Sequence, residues 1–216
     1  MSLATKERIL DAAEGLFANH GFAATSLRQI TAVAEVNLAA VNYHFGSKEA
    51  LLTAVFERRV VPVNQERLRL LDGLEAEAAQ GKAIQLEDVV RAFLLPAFNA
   101  VEGFGQQGAK FMQLVGRMHS ETNEQLRAAF LKLFQPVGQR FVPVLRQLLP
   151  TLTEDEVMWR LHFMIGSLAH ILVCTQLEEP LMGKLARGGD LVEALVQFNT
   201  AGLTAQAPAP VGVRRA

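Results

Sequence analysis

The stretch Thr25-Ser26-Leu27-Arg28-Gln29-Ile30-Thr31-Ala32-Val33-Ala34-Glu35-Val36-Asn37-Leu38-Ala39-Ala40-Val41-Asn42-Tyr43-His44-Phe45-Gly46-Ser47-Lys48 decides how this chain folds. Thr25 and Ser26 offer N-caps, and Leu27, Ile30 and Ala34 then recur at spacings of three and four, one apolar helix face. Asn37 caps a second short helix with Val41 and Phe45 inward. Gly46 ends it, and Ser47 caps a longer helix that begins at Lys48. Two short helices across a tight turn make a helix-turn-helix pattern. The outward residues of the second helix are small or hydrogen-bonding. A helix entering a DNA major groove needs that combination: close approach, and amide or hydroxyl groups for base edges and phosphates. An ordinary helical hairpin fits the same pattern, and periodicity alone does not separate the two.

Outward from this segment the pattern stays helical, with no runs of strand-forming residues, so the expected fold class is all-α. A first helix is predicted over about Thr5 to Asn19, with Ile9, Ala13, Leu16 and Phe17 on one face and Gly21 as its left-handed stop. The helix from Lys48 meets Pro62, where a kink or break is expected. Further pieces are predicted at about Val63–Gln80, Leu86–Val101, Ala109–His119, Glu121–Leu149, Thr153–Leu177 and Asp190–Leu203. Pro96, Pro136 and Pro143 mark further kinks or breaks. Leu181 to Gly189 reads as a loop with a helical turn. Ten of the thirteen Phe residues follow residue 50. The expected organisation is therefore a three-helix head over 1–50, a larger helical body over 51–206 and a disordered tail over 207–216.

The 216 residues are 50% hydrophobic, too apolar for a disordered chain and rich enough for a ligand cavity or an oligomer interface besides a core. A formal charge of −1 gives no global basic field. Within residues 1–60, Lys6, Arg8, Arg28, Lys48, Arg58 and Arg59 are balanced by Glu7, Asp11, Glu14, Glu35, Glu49 and Glu57. Any DNA affinity must then come from focused contacts. One cysteine, Cys174, excludes an intramolecular disulfide and a cysteine-rich zinc module. The first residues, with Lys6, Glu7, Arg8 and Asp11, have no secretory pattern. The longest uncharged run, Leu161 to Leu177, falls short of the roughly 20 apolar residues of a membrane span and holds His162, Ser167, His170, Thr175 and Gln176. It reads as a buried helix, and the protein as soluble and cytoplasmic with no membrane partner.

Three segments carry a resemblance. They are Gly21-Phe22-Ala23-Ala24-Thr25-Ser26-Leu27-Arg28-Gln29-Ile30, Ala34-Glu35-Val36-Asn37, and Val41-Asn42-Tyr43-His44-Phe45-Gly46-Ser47-Lys48-Glu49-Ala50-Leu51. Over about residues 5 to 55 the chain resembles the TetR family of bacterial transcriptional regulators. The departure is Glu35, where the turn between the two helices usually has Gly, so a side chain must accept strained or altered dihedrals. The resemblance implies base-edge contacts for Arg28, Asn37 and Asn42, thymine-methyl contacts for Leu38, Ala39 and Ala40, and phosphate contacts for Ser26, Tyr43, His44 and Lys48. His44 is equally readable as a packed core histidine, and Lys48 as a solvated N-terminal lysine. The implied activity is that of a homodimeric repressor, released from a palindromic double-stranded operator by a small apolar inducer. Trp159-Arg160-Leu161-His162-Phe163-Met164-Ile165-Gly166, together with Val36 to Lys48, is similar to the branch containing fatty-acid-responsive repressors, which would make the inducer a fatty acid or acyl derivative. A drug-efflux repressor, or a ligand-binding protein whose head does not bind DNA, are the alternatives.

The body shows no catalytic, phosphate-loop or metal-spaced signature, so no enzyme activity, cofactor or metal is expected. His162, His170 and Cys174 could line one helix side, and read first as packed core. The pocket implied by the resemblance is expected to draw on Phe111, Met112, Arg117, Phe134, Trp159, His162 and Phe163. Arg117 and Arg160 interrupt apolar stretches and could pair a ligand carboxylate, or could lie exposed or paired within a dimer. The last two long helices are expected to form the dimer face, with Gly166, Leu168, Ala169, Leu172, Leu191, Leu195 and Phe198 in the seam. Helix 4, the covalent link from head to body, is the expected lever.

Overall fold

The computed structural model describes residues 3–119, 123–177 and 189–206, and among them it has ten helices and no strand. In chain order these are α1 (Leu3–Ala24), α2 (Leu27–Ala34), α3 (Leu38–Phe45), α4 (Lys48–Ala79), α5 (Leu86–Gly103), α6 (Gln106–His119), α7 (Glu124–Lys132), α8 (Gln135–Leu148), α9 (Glu154–Leu177) and α10 (Gly189–Thr204). The loop expected over 181–188 and the tail expected over 207–216 lie outside the described residues.

Local chemistry fixes the head. α1 buries Ile9, Ala13 and Phe17 and is interrupted at Gly21, whose φ of 80° and ψ of 167° suit glycine rather than the left-handed helical stop expected there. The interruption is bridged by side chains. Thr25 Oγ1 donates to Gly21 O at 2.8 Å, and Lys48 Nζ donates to Phe22 O at 3.0 Å and Thr25 O at 2.9 Å. Each of the next three helices begins on the cap read from the sequence. Ser26 accepts from Gln29 N while Gln29 accepts from Ser26 N, a reciprocal capping box; Asn37 accepts from Ala40 N and Ser47 from Ala50 N.

Glu35 does adopt the left-handed conformation, φ 51° and ψ 49°, and is the only non-glycine with positive φ among the described residues. That conformation costs a non-glycine residue about 1 kcal/mol. α1 supports it: Arg8 donates to the carbonyls of Ala34 and Glu35, and its guanidinium lies 3.7 Å from the Glu35 carboxylate.

The body corrects three expectations. α4 does not break at Pro62 but runs unbroken for 32 residues. Pro62 is exposed, so the hydrogen bond it forgoes is on the solvent side. Pro143, exposed, and Pro96, buried, also sit inside their helices, α8 and α5. The single helix expected over Glu121–Leu149 is two, α7 and α8, parted at Leu133 and Phe134. Pro136 stands in the first turn of α8, where its missing N–H removes no internal bond.

α4 packs on α5, α7 and α8, α5 on α10, and α9 on α6, α8 and α10. One contiguous apolar cluster runs from Ile9 in α1 to Leu203 in α10. The head is therefore not tethered by α4 alone, because α1 also lies along α6 of the body.

Candidate nucleic-acid interface and body cavity

On α3 the rear residues Ala40 and Val41 are buried, while Leu38, Ala39, Asn42 and Tyr43 form an exposed row, with Tyr43 74% accessible. Arg28 on α2 is exposed beside them. Five of the ten residues expected at DNA are therefore free to meet a partner. Ala40, at 2% exposure, is core and not a thymine-methyl contact; its position one turn from Asn37 turns it inward. Ser26 and Asn37 are exposed but already hold their helix N-termini. Each leaves part of its hydrogen-bonding capacity, the Asn37 amide N–H groups among it. Lys48 is turned into the head, with two of its three donors on carbonyls and its ammonium 4.2 Å from the Phe22 ring centroid. His44 is half-buried between the Tyr43 and Phe45 rings, and its Nε2 is buried with no partner. Of its two readings the geometry supports packing.

The body holds a half-open cavity of about 180 Å³ between α4, α5, α6, α7 and α9. Phe93, Phe104, Phe111, Phe130 and Phe134 line it, with Met112 and aliphatic side chains. Of the seven residues expected there, Phe111, Met112 and Phe134 line it. Trp159, His162 and Phe163 do not. They are exposed on the outer side of α9, Trp159 at 65% and Phe163 at 68%. Leu168, Ala169 and Leu172, expected in a dimer seam, line the cavity instead. The two sets exchange places because α9 is apolar on both sides, and only its packing on α6, α8 and α10 says which side is inner.

The remaining seam residues divide. Gly166 and Phe198 are exposed, Leu191 is half-buried and Leu195 is buried. The outer surface of α9 and α10 thus presents Met158, Trp159, Phe163, Gly166 and Phe198, while the exposed Ile165 lines the open side of the cavity. His162 and His170 are also exposed, so of the set read as packed core only Cys174 is buried, with its Sγ 3.5 Å from His170 Nε2.

Neither arginine expected to meet a ligand reaches the cavity. Arg117 donates to Ala18 O at 2.9 Å and Asn19 O at 3.1 Å, and Arg160 to Gly202 O at 3.0 Å and Leu203 O at 2.7 Å. Both satisfy carbonyls near helix C-termini, a favourable place for a cation. The cavity's arginines are Arg59 and Arg67, both on α4, which sequence reasoning missed. The signal was present: Leu52, Phe56, Val60, Val63, Arg67 and Leu71 continue one helical stripe. Breaking the helix at Pro62 discards that register.

The two arginines differ in partners. Arg59 pairs with Glu14 of α1 at 2.9 Å, donates to Gln107 Oε1 at 2.6 Å and lies over the Phe104 ring. Glu14 is buried and also takes Arg58 at 2.7 Å. Arg67 is 4% exposed, lies over the Phe93 ring, and donates to Phe93 O at 2.8 Å and Asn64 Oδ1 at 3.0 Å. None of the ion pairs among the described residues includes it. Burial pushes its guanidinium down to about 10, so it still carries its charge at neutral pH.

Two links therefore join the cavity wall to α1: Arg59 to Glu14, and α6, which lines the cavity with Phe111 and Met112 and holds the α1 carbonyls through Arg117.

Known proteins place these features in a family context. The model of the N-terminal region of bacterial regulatory proteins of the tetR family matches residues 9–55, and a tetracyclin repressor-like C-terminal domain matches residues 91–202. The transcriptional repressor NicS of Pseudomonas putida is 37% identical over 76 residues, 35% of this chain, and that match spans only about a third, 36%, of its own length. Among solved structures, Salmonella enterica GusR aligns with a TM-score of 0.64 at 18% identity, over 95% of this chain and 98% of its own. The fatty acid degradation regulator FadR of Bacillus halodurans aligns with a TM-score of 0.59 at 17% identity, over 95% of this chain and all of its own. At such identities the two structures speak for the fold.

Proposed function

The chain belongs to the TetR family of DNA-binding transcriptional regulators, and from that premise we propose that it is a homodimeric repressor released from a palindromic operator by a small ligand held in the body. The observation that carries the reading is the exposed row Leu38, Ala39, Asn42 and Tyr43, on a helix capped at its start and buried along its rear. In the proposal Asn42 and Arg28 meet base edges, Tyr43 a phosphate, and Leu38 and Ala39 thymine methyls. Two such helices on a straight duplex meet successive major-groove faces about 34–36 Å apart. The head is charge-balanced, so the salt dependence is shallow, reflecting a few phosphates per subunit.

The dimer face in this reading is the outer surface of α9 and α10. Trp159, Phe163 and Phe198 on neighbouring helices make an apolar patch of the kind that a subunit interface covers. α9 is also long and apolar enough, by length and composition, to cross a membrane. Its inner residues in the core and the acidic first turn Glu154, Asp155 and Glu156 favour the interface. The functional boundary between head and body near residue 50, and a cytoplasmic location, belong to the same proposal. Catalysis has no part in it.

A ligand shifts the equilibrium only by its differential affinity for the two head arrangements, typically 1–3 kcal/mol of coupling. α4, the Arg59–Glu14 pair and the Arg117 bonds carry that coupling to the head. The similarity to fatty-acid-responsive repressors favours an acyl body for the ligand, and the cavity volume favours a short one. A repressor of a drug-efflux system would use the same parts with a different ligand.

Selection of bound sites from a random duplex pool tests the reading, with Asn42→Ala/Tyr43→Ala beside the wild type. Lys48 is left intact, since it holds the head together. An enriched palindrome that the double variant loses is the expected result. No enrichment at low salt would sink DNA binding and leave a ligand-binding helical protein.

A further inference from the structure

Resting on the reading of the cavity as the inducer site, we infer that it selects small monocarboxylates, with the acid group bonded to Arg67 and the apolar body among the phenylalanines. The two arginines of the wall are unequal. Arg59 already has the Glu14 carboxylate, whereas Arg67 has none. A guanidinium offers five N–H groups, and the described bonds of Arg67 use two. It is buried, charged at neutral pH, and among the described residues it meets the neutral acceptors Phe93 O and Asn64 Oδ1 and the face of the Phe93 ring, with no carboxylate paired to it. A buried cation without a counter-ion is costly, and a ligand anion relieves that cost where a neutral ligand adds to it.

The site's chemistry narrows the anion. One uncompensated positive charge matches one negative charge, and the planar guanidinium fork matches a carboxylate. A dianion would bring a second charge into a wall that is otherwise apolar apart from the engaged Arg59. Volume narrows the body. An apolar cavity of about 150 Å³ holds benzene, so about 180 Å³ takes up a benzoate or a short acyl chain, and a longer chain would have to project from its open side.

The test is calorimetric titration of the full chain, without DNA, using benzoate and hexanoate against their neutral isosteres benzamide and hexanamide. The acids are expected to bind at least about tenfold more tightly, about 1.4 kcal/mol. Arg67→Gln is expected to abolish that difference and Arg67→Lys to retain part of it, with melting curves confirming that each variant is folded. If Arg67→Gln does not fold, the wild-type ratio of acid to neutral isostere decides alone. Equal or tighter binding of the neutral isosteres overturns the inference. So does acid binding that a folded Arg67→Gln leaves unchanged, or an absence of saturable acid binding up to millimolar concentrations. An acid that binds through Arg67 yet leaves operator affinity unaltered overturns the inducer role and not the binding site.

Discussion

The head and the body use the same amino acids under different rules. In the head, α2 and α3, and α4 where it leaves the head, each start on a polar side chain three residues before the amide it accepts from, and the only non-glycine left-handed residue among those described sits at the turn between α2 and α3. These are local relations. In the body, α9 is apolar on both sides, α4 passes straight through a proline, and charged groups lie in apolar stripes. A residue's role there depends on which neighbouring helix covers it. A capping residue in the head therefore announces its task by its position in sequence, whereas Lys48, turned into the head, and the polar residues of the body do not.

The strongest way to break this comparison lies where the two regions meet. Glu14→Ala leaves Arg58 and Arg59 without their shared buried carboxylate. The expected loss is about 3 kcal/mol in urea denaturation. A loss below about 1 kcal/mol, an ordinary surface-pair value, would mean that head and body are not joined through this cluster.

The two sides of α9 provide the next comparison. Leu168→Ala, on the cavity side, is expected to cost about 3 kcal/mol. Phe163→Asp, on the outer side, should change stability by less than about 0.5 kcal/mol when measured at low protein concentration, while sedimentation shows loss of the dimer. If Phe163→Asp destabilised a monomer as much as Leu168→Ala, the inner and outer assignment of α9 would fail.

The caps should respond less and alike. Asn37→Ala and Ser47→Ala are each expected to cost about 1 kcal/mol, with Asn37→Ala also lowering DNA affinity if its free amide N–H groups meet a base. Smallest is Glu35→Gly. Relief of the left-handed backbone favours it by about 1 kcal/mol, and loss of an exposed ion pair opposes it by about 0.5 kcal/mol. The net is a slight rise in melting temperature. A fall would show that the Arg8 contact with Glu35 outweighs the backbone term.

The sequence by itself determined the helical class, the three caps, the turn at Glu35 and the family, since each depends on residues within a few positions of one another. It also placed Phe111, Met112 and Phe134 at the cavity and Tyr43 at the surface. It did not determine the phase of α9, because Trp159, Phe163, Leu168 and Leu172 are all apolar and burial separates them only once α6, α8 and α10 are in place. Nor did it determine which arginines face the cavity. Arg117 and Arg160 stand out in the sequence but cap distant helix ends, at Ala18 and Asn19 and at Gly202 and Leu203. Arg59 and Arg67 reach the cavity because α4 keeps its register through Pro62, where packing on α5, α7 and α8 overrides the local preference of proline to end a helix. Long-range packing decided what short-range patterning left open.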